Sequence, residues 1–343
     1  MSSVTTTVEV VDTTTSPTSS LPIIDFSPFF SGKPEEKLET GKQMVKVLRE
    51  VGFMYIINHG IEQKEIDDIF EWSKKFFELS DEQKSKCPHP PNGAHHRGWS
   101  ALGKEKVVQM VFDEKEISNL RKHPDVKESF DVGKEDGYYC NFWPEDTDIP
   151  GFKAGCQNYY NKATLTSKYF LRALALGMDL NEDFFLNYHI DSENQLRLLH
   201  YPPTKEQDLR NGSTERIAAH TDFGTMTLLL QDSCGGLEVE DPYHKGVFIP
   251  APYVPGALVV NTGDFLMRWS NNALKSTLHR VRAPPIISET GYSKVRYSIP
   301  FFISADRTKT IDCLPGTYSE ENPKKYEPIN ALEYLSMRLN ATY

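Results

Sequence analysis

The run Lys294-Val295-Arg296-Tyr297-Ser298-Ile299-Pro300-Phe301-Phe302-Ile303-Ser304 shows the two-sided pattern that marks the C-terminal half of the chain. With side chains alternating across a strand, Val295, Tyr297, Ile299, Phe301 and Ile303 share one face and Arg296, Ser298, Pro300, Phe302 and Ser304 the other. Short β runs at 195–201, 225–231, 236–240, 257–262 and 276–282 accompany it, separated by Gly/Pro turns. Their number and spacing predict an antiparallel double-stranded β-helix, the jelly roll. The N-terminal half changes period. Strands are expected at Pro22 to Phe26 and Phe53 to Asn58, and helices at Glu36 to Val51, Lys64 to Leu79 and Gly155 to Gly177. Ser80-Asp81 is placed to cap a short turn, and helical character resumes at Ile329 to Leu339. The fold class is α+β, a jelly-roll core with flanking N-terminal helices.

Residues 1–20 are rich in Ser, Thr and Val, lack Lys and Arg, and read as a disordered leader. The expected organisation is that leader, an N-terminal helical and β region over 21–180, and a catalytic core with its C-terminal helix over 181–343. Between Cys87 and Asp131 the richness in Pro, Gly, His and Lys predicts loops over the mouth of a site. Asn261-Thr262-Gly263-Asp264 reads as a turn before a strand carrying Arg268 and Trp269.

A net charge of −10 leaves no basic footprint for nucleic acid or an anionic membrane. No run approaches the roughly 18–20 apolar residues that span a bilayer. Five scattered cysteines form no disulfide or CxxC framework, which suits a reducing compartment, and the cytoplasm is expected. Oligomeric state leaves no mark in the sequence.

Chemistry concentrates in His220-Thr221-Asp222 and His279. Two imidazoles and a carboxylate can cap one face of an octahedral Fe(II) and leave the other face open to a co-substrate and O₂. In a strand, positions 220 and 222 point to one side, and His279 returns from a distant extended segment. Gly224 permits a tight turn beside them. Arg296 and Ser298 share a face with Phe302, which suits a cavity that grips a carboxylate through a planar guanidinium. Arg197, Leu199 and Tyr201 share a face of the 195–201 strand, so Tyr201 can lend its hydroxyl to a co-substrate and Arg197 can contact substrate. Other polar residues read as structural: His59 in a turn, His95-His96 in an exposed loop, His200 beneath the sheet and Cys234-Gly235-Gly236 as a turn.

Together with Leu21-Pro22-Ile23-Ile24-Asp25-Phe26 and Val51-Gly52-Phe53 through His59-Gly60-Ile61, these motifs resemble the Fe(II)/2-oxoglutarate-dependent dioxygenases of the isopenicillin N synthase-like superfamily. The likeness covers nearly the whole chain from residue 21. Within that superfamily the chain is most similar to fungal thymine dioxygenases (thymine 7-hydroxylases), through Leu196-Arg197-Leu198-Leu199-His200-Tyr201-Pro202, Gln231-Asp232-Ser233, Arg268-Trp269-Ser270-Asn271, Lys275-Ser276-Thr277 and the tail from Pro315-Gly316-Thr317-Tyr318 to Tyr343.

The resemblance implies that His220, Asp222 and His279 hold iron, and that Tyr201, Arg296 and Ser298 bind the distal carboxylate of 2-oxoglutarate. It implies substrate contacts for Arg197, Phe302 and the residue after the metal aspartate, a tyrosine in the thymine enzymes and Phe223 here. Losing that hydroxyl removes a polar contact through which a pyrimidine is recognised. The expected substrate is therefore a small cyclic or aromatic molecule, oxidised at a C–H bond and first at a methyl group, in fungal secondary metabolism. Hydroxylation or radical rearrangement is the outcome. A thymine or pyrimidine methyl hydroxylase, a 2-oxoglutarate-independent oxidase and a noncatalytic metal-binding jelly roll stay open at this point.

Overall fold

In chain order the strands of the two larger sheets are β1 (Ile23–Asp25), β2 (Phe53–Ile57), β3 (Gly98–Ser100), β4 (Glu128–Gly133), β5 (Gln195–Tyr201), β6 (Ile217–His220), β7 (Met226–Gln231), β8 (Leu237–Glu240), β9 (Phe248–Pro250), β10 (Leu258–Thr262), β11 (His279–Val281) and β12 (Arg296–Ile303). The computed structural model describes residues 21–90, 95–105, 125–191, 193–284 and 289–340, so the expected leader over 1–20 lies outside the described residues. An eight-stranded sheet runs β1-β2-β10-β7-β12-β5-β4-β3, and a four-stranded sheet runs β6-β11-β8-β9. All pairings within them are antiparallel except β1 with β2.

Alternation decides what each side of the large sheet touches. Ile299, Phe301 and Ile303 of β12, Leu196 and Leu198 of β5, and Met226, Leu228 and Leu230 of β7 join one core with the helices Pro34–Glu50, Gln63–Phe77 and Phe152–Gly177. The opposite face supplies Leu199, Tyr201, Val259, Phe53 and Tyr55 to a second core, against Ile217, Leu237, Val239 and Val281 of the small sheet. The helices thus back the large sheet, and the small sheet closes its other side. Two sheets with cores on both sides of the larger one form the expected α+β jelly roll.

Three local expectations change. The stretch from Cys87 to Asp131 is not all loop, because β3 and β4 extend the large sheet beyond β5. Within it, residues 91–94 and 106–124 lie outside the described residues. The segment after Gly263 is a helix, Asp264–Trp269, rather than a strand. Its buried Phe265, Leu266 and Trp269 fall at helical spacing. Two strands of the small sheet, β6 and β9, were not among the expected runs. Ser80 caps the short helix Asp81–Lys84 through a capping box with Gln83, as its sequence suggests.

Phe301 is fully buried on the helix-facing side, edge-on to Tyr160 with ring centroids 5.4 Å apart. Truncation there removes contacts from both layers at once. Phe301→Ala should destabilise the fold by about 3–5 kcal/mol, read as a lower denaturation midpoint at unchanged slope; a loss below about 1 kcal/mol would show that this face is not the core.

Candidate active site

The small sheet brings the two histidines together by register. His279 of β11 is the direct cross-strand partner of His220 at the end of β6, and their rings lie 4.2 Å apart. Asp222 is not on the strand with His220, as alternation would have it; β6 stops at His220 and Asp222 lies in the connection that follows. Its position is set by backbone contacts instead. The Asp264 N–H donates to the Asp222 carbonyl at 2.8 Å, and the Phe265 N–H to the Phe223 carbonyl at 3.2 Å. Gly263 makes this possible, since a Cβ there would fall 2.8 Å from the Gly224 carbonyl carbon. Gly224 likewise packs against the Ile303 carbonyl, and close approach, more than turn conformation, is what each glycine supplies.

Ligand atoms of His220, Asp222 and His279 all lie within 4.8 Å of one another, with His279 Nε2 3.7 Å from Asp222 Oδ1. Their outer partners aim them. His220 Nδ1 lies 2.8 Å from the Ala218 carbonyl, which can only accept, so the proton sits on Nδ1 and Nε2 keeps its lone pair. His279 Nδ1 faces the Thr277 carbonyl at 3.4 Å. Asp222 Oδ2 accepts from the Thr227 hydroxyl at 2.6 Å and from Asn261 Nδ2 at 2.7 Å. Burial first, and His279 second, push the His220 pKa far down, so the imidazole is neutral. For Asp222 burial works toward a higher pKa, but the two histidines and the Asn261 and Thr227 hydrogen bonds outweigh it and keep the carboxylate ionised. A neutral imidazole at His220 and an ionised carboxylate at Asp222 suit Fe(II), which binds deprotonated donors.

Thr227 and Asn261 were not singled out in the sequence. A polar residue on the inward face of an otherwise apolar strand, as Asn261 is beside Val259, was the available signal.

A second group, Tyr201, Arg296 and Ser298, sits between the sheets. Arg296 pairs in register with Tyr201, and its guanidinium lies 4.8 Å from the Tyr201 ring centre. All three residues are buried. Arg296 Nε donates to the Gly235 carbonyl at 3.0 Å, while Nη1 is buried with no partner among the described residues. An unanswered guanidinium N–H in a dry interior is costly and fits an anionic oxygen. Arg216, which the sequence reading missed, lies 5.7 Å from the same ring, also buried, with Nε lacking a partner among the described residues. Burial raises the Tyr201 pKa against the two guanidiniums, so the phenol keeps its proton and can donate it.

A cavity open at its mouth adjoins the triad. Arg197, Phe223 and Phe302 line it together with His220 and Asp222, whereas Tyr201, Arg296 and Ser298 do not. Phe302 and Arg296 lie six positions apart on β12, about 20 Å at roughly 3.3 Å per residue, so these two side chains stand near opposite ends of that strand. Arg197 is held more tightly than expected: Nε donates to Asp131 Oδ1 at 2.7 Å, Nη2 to Asp131 Oδ2 at 3.1 Å and Nη1 to Glu105 Oε2 at 3.3 Å. His96, expected in an exposed loop, is buried in this wall, and its Nδ1 accepts from Arg197 Nη2 at 3.0 Å. His95 is half-buried and stacks on Tyr139.

His96, Glu105 and Asp131 also come within metal-binding reach of one another. They are already balanced, Asp131 by Arg197 and Glu105 by Lys127 and Arg197. Two anions facing two cations leave no net charge to draw a metal, in contrast to the triad. His59 and His200 are structural, as expected: His59 closes a turn with Gly256 and Ile61, and His200 bonds Glu128 on the helix-facing side between Phe77 and Tyr297.

Thr227→Val keeps shape while removing one hydrogen bond to Asp222. Metal affinity should fall by about 10- to 100-fold with little change in fold stability, measured by anaerobic Fe(II) titration; wild-type affinity would mean that the Thr227 hydroxyl does not orient the ligand.

Two family models match the chain: residues 21–146 match the non-haem dioxygenase in morphine synthesis N-terminal model, and residues 183–305 the 2OG-Fe(II) oxygenase superfamily. A 2-oxoglutarate-Fe(II) type oxidoreductase of Metarhizium rileyi is 38% identical over 322 residues, covering 93% of this chain and 90% of that protein. A proline hydroxylase of Petromyces alliaceus is 37% identical over 323 residues, with 93% and 98% covered. The crystal structure of Neurospora crassa T7H in complex with alpha-KG and thymine superposes with a TM-score of 0.85 at 40% identity, covering 94% of this chain and 97% of that one. The 2-oxoglutarate-independent and noncatalytic alternatives give way to these findings. The chain belongs to the 2OG-Fe(II) oxygenase superfamily and is a non-haem Fe(II)- and 2-oxoglutarate-dependent dioxygenase that oxidises a small molecule.

Proposed function

We propose that this dioxygenase oxidises a C–H bond, first of all in a methyl group, of a neutral cyclic or aromatic molecule of fungal secondary metabolism. In this reading His220, Asp222 and His279 hold Fe(II), and Tyr201, Arg296 and Ser298 hold the distal carboxylate of 2-oxoglutarate. Bound there, Fe(II) with 2-oxoglutarate and O₂ supplies the oxidant for the C–H bond, with succinate and CO₂ as co-products and a hydroxylated substrate as the first product. The chain's own part is placement. Phe223 and Phe302 flank the ring, and Arg197 is fixed in the wall by Asp131 and Glu105.

The observation that carries the substrate class is the internal charge balance of the cavity. Arg197 pairs with Asp131, Lys127 with Glu105, and Arg97 with Glu193 at 3.3 Å beside aromatic walls, with Arg307 sharing Glu193 at 3.5 Å. A neutral ring gains from the aromatic surfaces, and the Arg97 Nε–H, buried with no partner among the described residues, suits an acceptor oxygen on that ring. Five free thiols suit a reducing compartment, which supports the cytoplasm. The division near residue 180 is read as functional only, since β1 to β4 share one sheet with β5, β7, β10 and β12.

The likeness to the Neurospora enzyme solved with thymine favours one second reading, a pyrimidine methyl hydroxylase. Product mass spectrometry with thymine and methylated aromatic candidates, with succinate measured in parallel, separates the two. Methylated aromatic rings should be oxidised in step with succinate release, and thymine poorly; efficient turnover of thymine alone would replace the first reading with the second. Phe223→Tyr should raise thymine oxidation by about tenfold or more by supplying a hydroxyl to a polar ring. An unchanged rate would show that position 223 does not face substrate. Arg296→Ala should raise the KM for 2-oxoglutarate by about 10- to 100-fold, the loss expected for charged hydrogen bonds, and addition of longer or shorter 2-oxo diacids should no longer discriminate; an unaltered KM would remove Arg296 from the co-substrate site.

A further inference from the structure

Thr221 stands between two of the triad residues, and its hydroxyl donates to Asp264 Oδ2 at 2.7 Å. The same oxygen accepts from Arg338 Nη1, in an ion pair whose two members are both buried. Arg338 belongs to the C-terminal helix Ala331–Asn340, and its guanidinium also lies 4.3 Å from the Phe223 ring centre. Leu332, Leu335 and Ser336 of that helix line the cavity. Asp264 completes the junction by donating its N–H to the Asp222 carbonyl. Asp264 and Arg338 therefore tie three things together: the connection that carries Asp222, the Phe223 ring beside it and the helix that walls the substrate space.

We infer that Arg338 and Asp264 are positioning residues that make the C-terminal helix and the metal-binding connection one mechanical unit, so that metal occupancy and the closure of the cavity wall are energetically coupled. A salt bridge between the same helix and a surface loop would stabilise without such coupling. Here the shared acceptor holds Thr221, the residue between His220 and Asp222, and a shift of the helix moves Thr221 and Phe223 with it. Coupling is reciprocal: whatever factor the anchored helix contributes to metal affinity, the metal returns as protection of the helix.

The inference rests on the triad holding Fe(II). Its test combines anaerobic Fe(II) titration with amide hydrogen exchange of residues 331–340, for wild type, Arg338→Gln, Arg338→Lys and the exposed neighbour Met337→Ala. In wild type, Fe(II) should slow exchange across the helix. Arg338→Gln should weaken Fe(II) binding about tenfold and abolish the slowing, Arg338→Lys should recover part of both, and Met337→Ala should change neither. Substrate-free succinate formation relative to product should also rise in Arg338→Gln. Folded Arg338→Gln with wild-type Fe(II) affinity and metal-dependent protection overturns the coupling. If Arg338→Gln does not fold, the wild-type exchange decides alone, and protection that ignores Fe(II) overturns it as well. Failure of the triad reading is distinct: wild type itself would then bind no Fe(II), with His220→Ala indistinguishable from it.

Discussion

An ionised carboxylate kept almost wholly out of water is the constraint on which the site is built. Asp222 is 7% exposed, and burial alone would push it toward the neutral acid. Thr227 and Asn261 answer one of its oxygens, two imidazoles face the other side, and the N–H of Asp264 fixes its main chain. Each of these groups comes from a different element: β7, β10, the cross-strand pair β6 and β11, and the helix Asp264–Trp269. The two sheets must therefore be packed before the carboxylate is secure, and global packing is a condition of the local chemistry.

The same logic extends outward from the ligands. The cavity wall is built from ionic groups largely paired within the protein, so the space they enclose has aromatic surface, fixed dipoles and one unanswered donor, the Arg97 Nε–H, among the described residues. Away from the cavity the large sheet carries a second cationic group. Arg296 and Arg216 approach one tyrosine ring, each with a buried N–H unanswered among the described residues. The strand β12 contributes Phe302 to the cavity and Arg296 to this second group.

What could be read in the sequence was whatever burial writes as periodicity. Alternation along 195–201 and 294–304 marks the two faces because one meets helices and the other meets the small sheet. The triad was legible from residue type, though not from its geometry, since Asp222 reaches its place through backbone bonds to Asp264 and Phe265 rather than by strand alternation. β4 was hidden for a physical reason. Glu128, Ser129 and Asp131 are buried by pairing with Lys84, Glu105 and Arg197, so only Phe130 and Val132 mark the strand as apolar. His96 was misplaced for the same reason, as its burial depends on Arg197, 101 positions away. The Asp264–Arg338 pair spans 74 positions and leaves no local signal at all.

The order of strands in the large sheet has a further consequence, in the life of the chain before it is complete. β2 finds its partner in β10, where Ile56 faces Leu258, about 200 residues later in synthesis. Until that segment leaves the ribosome, Phe53–Ile57 has only the three-residue β1 beside it, and its apolar edge is open to other chains. Pairings of such long sequence separation also close slowly once the whole chain is available. The first half is thus a folding client, dependent on its own second half, and low temperature or chaperone supply during expression will govern yield more than any property of the finished site.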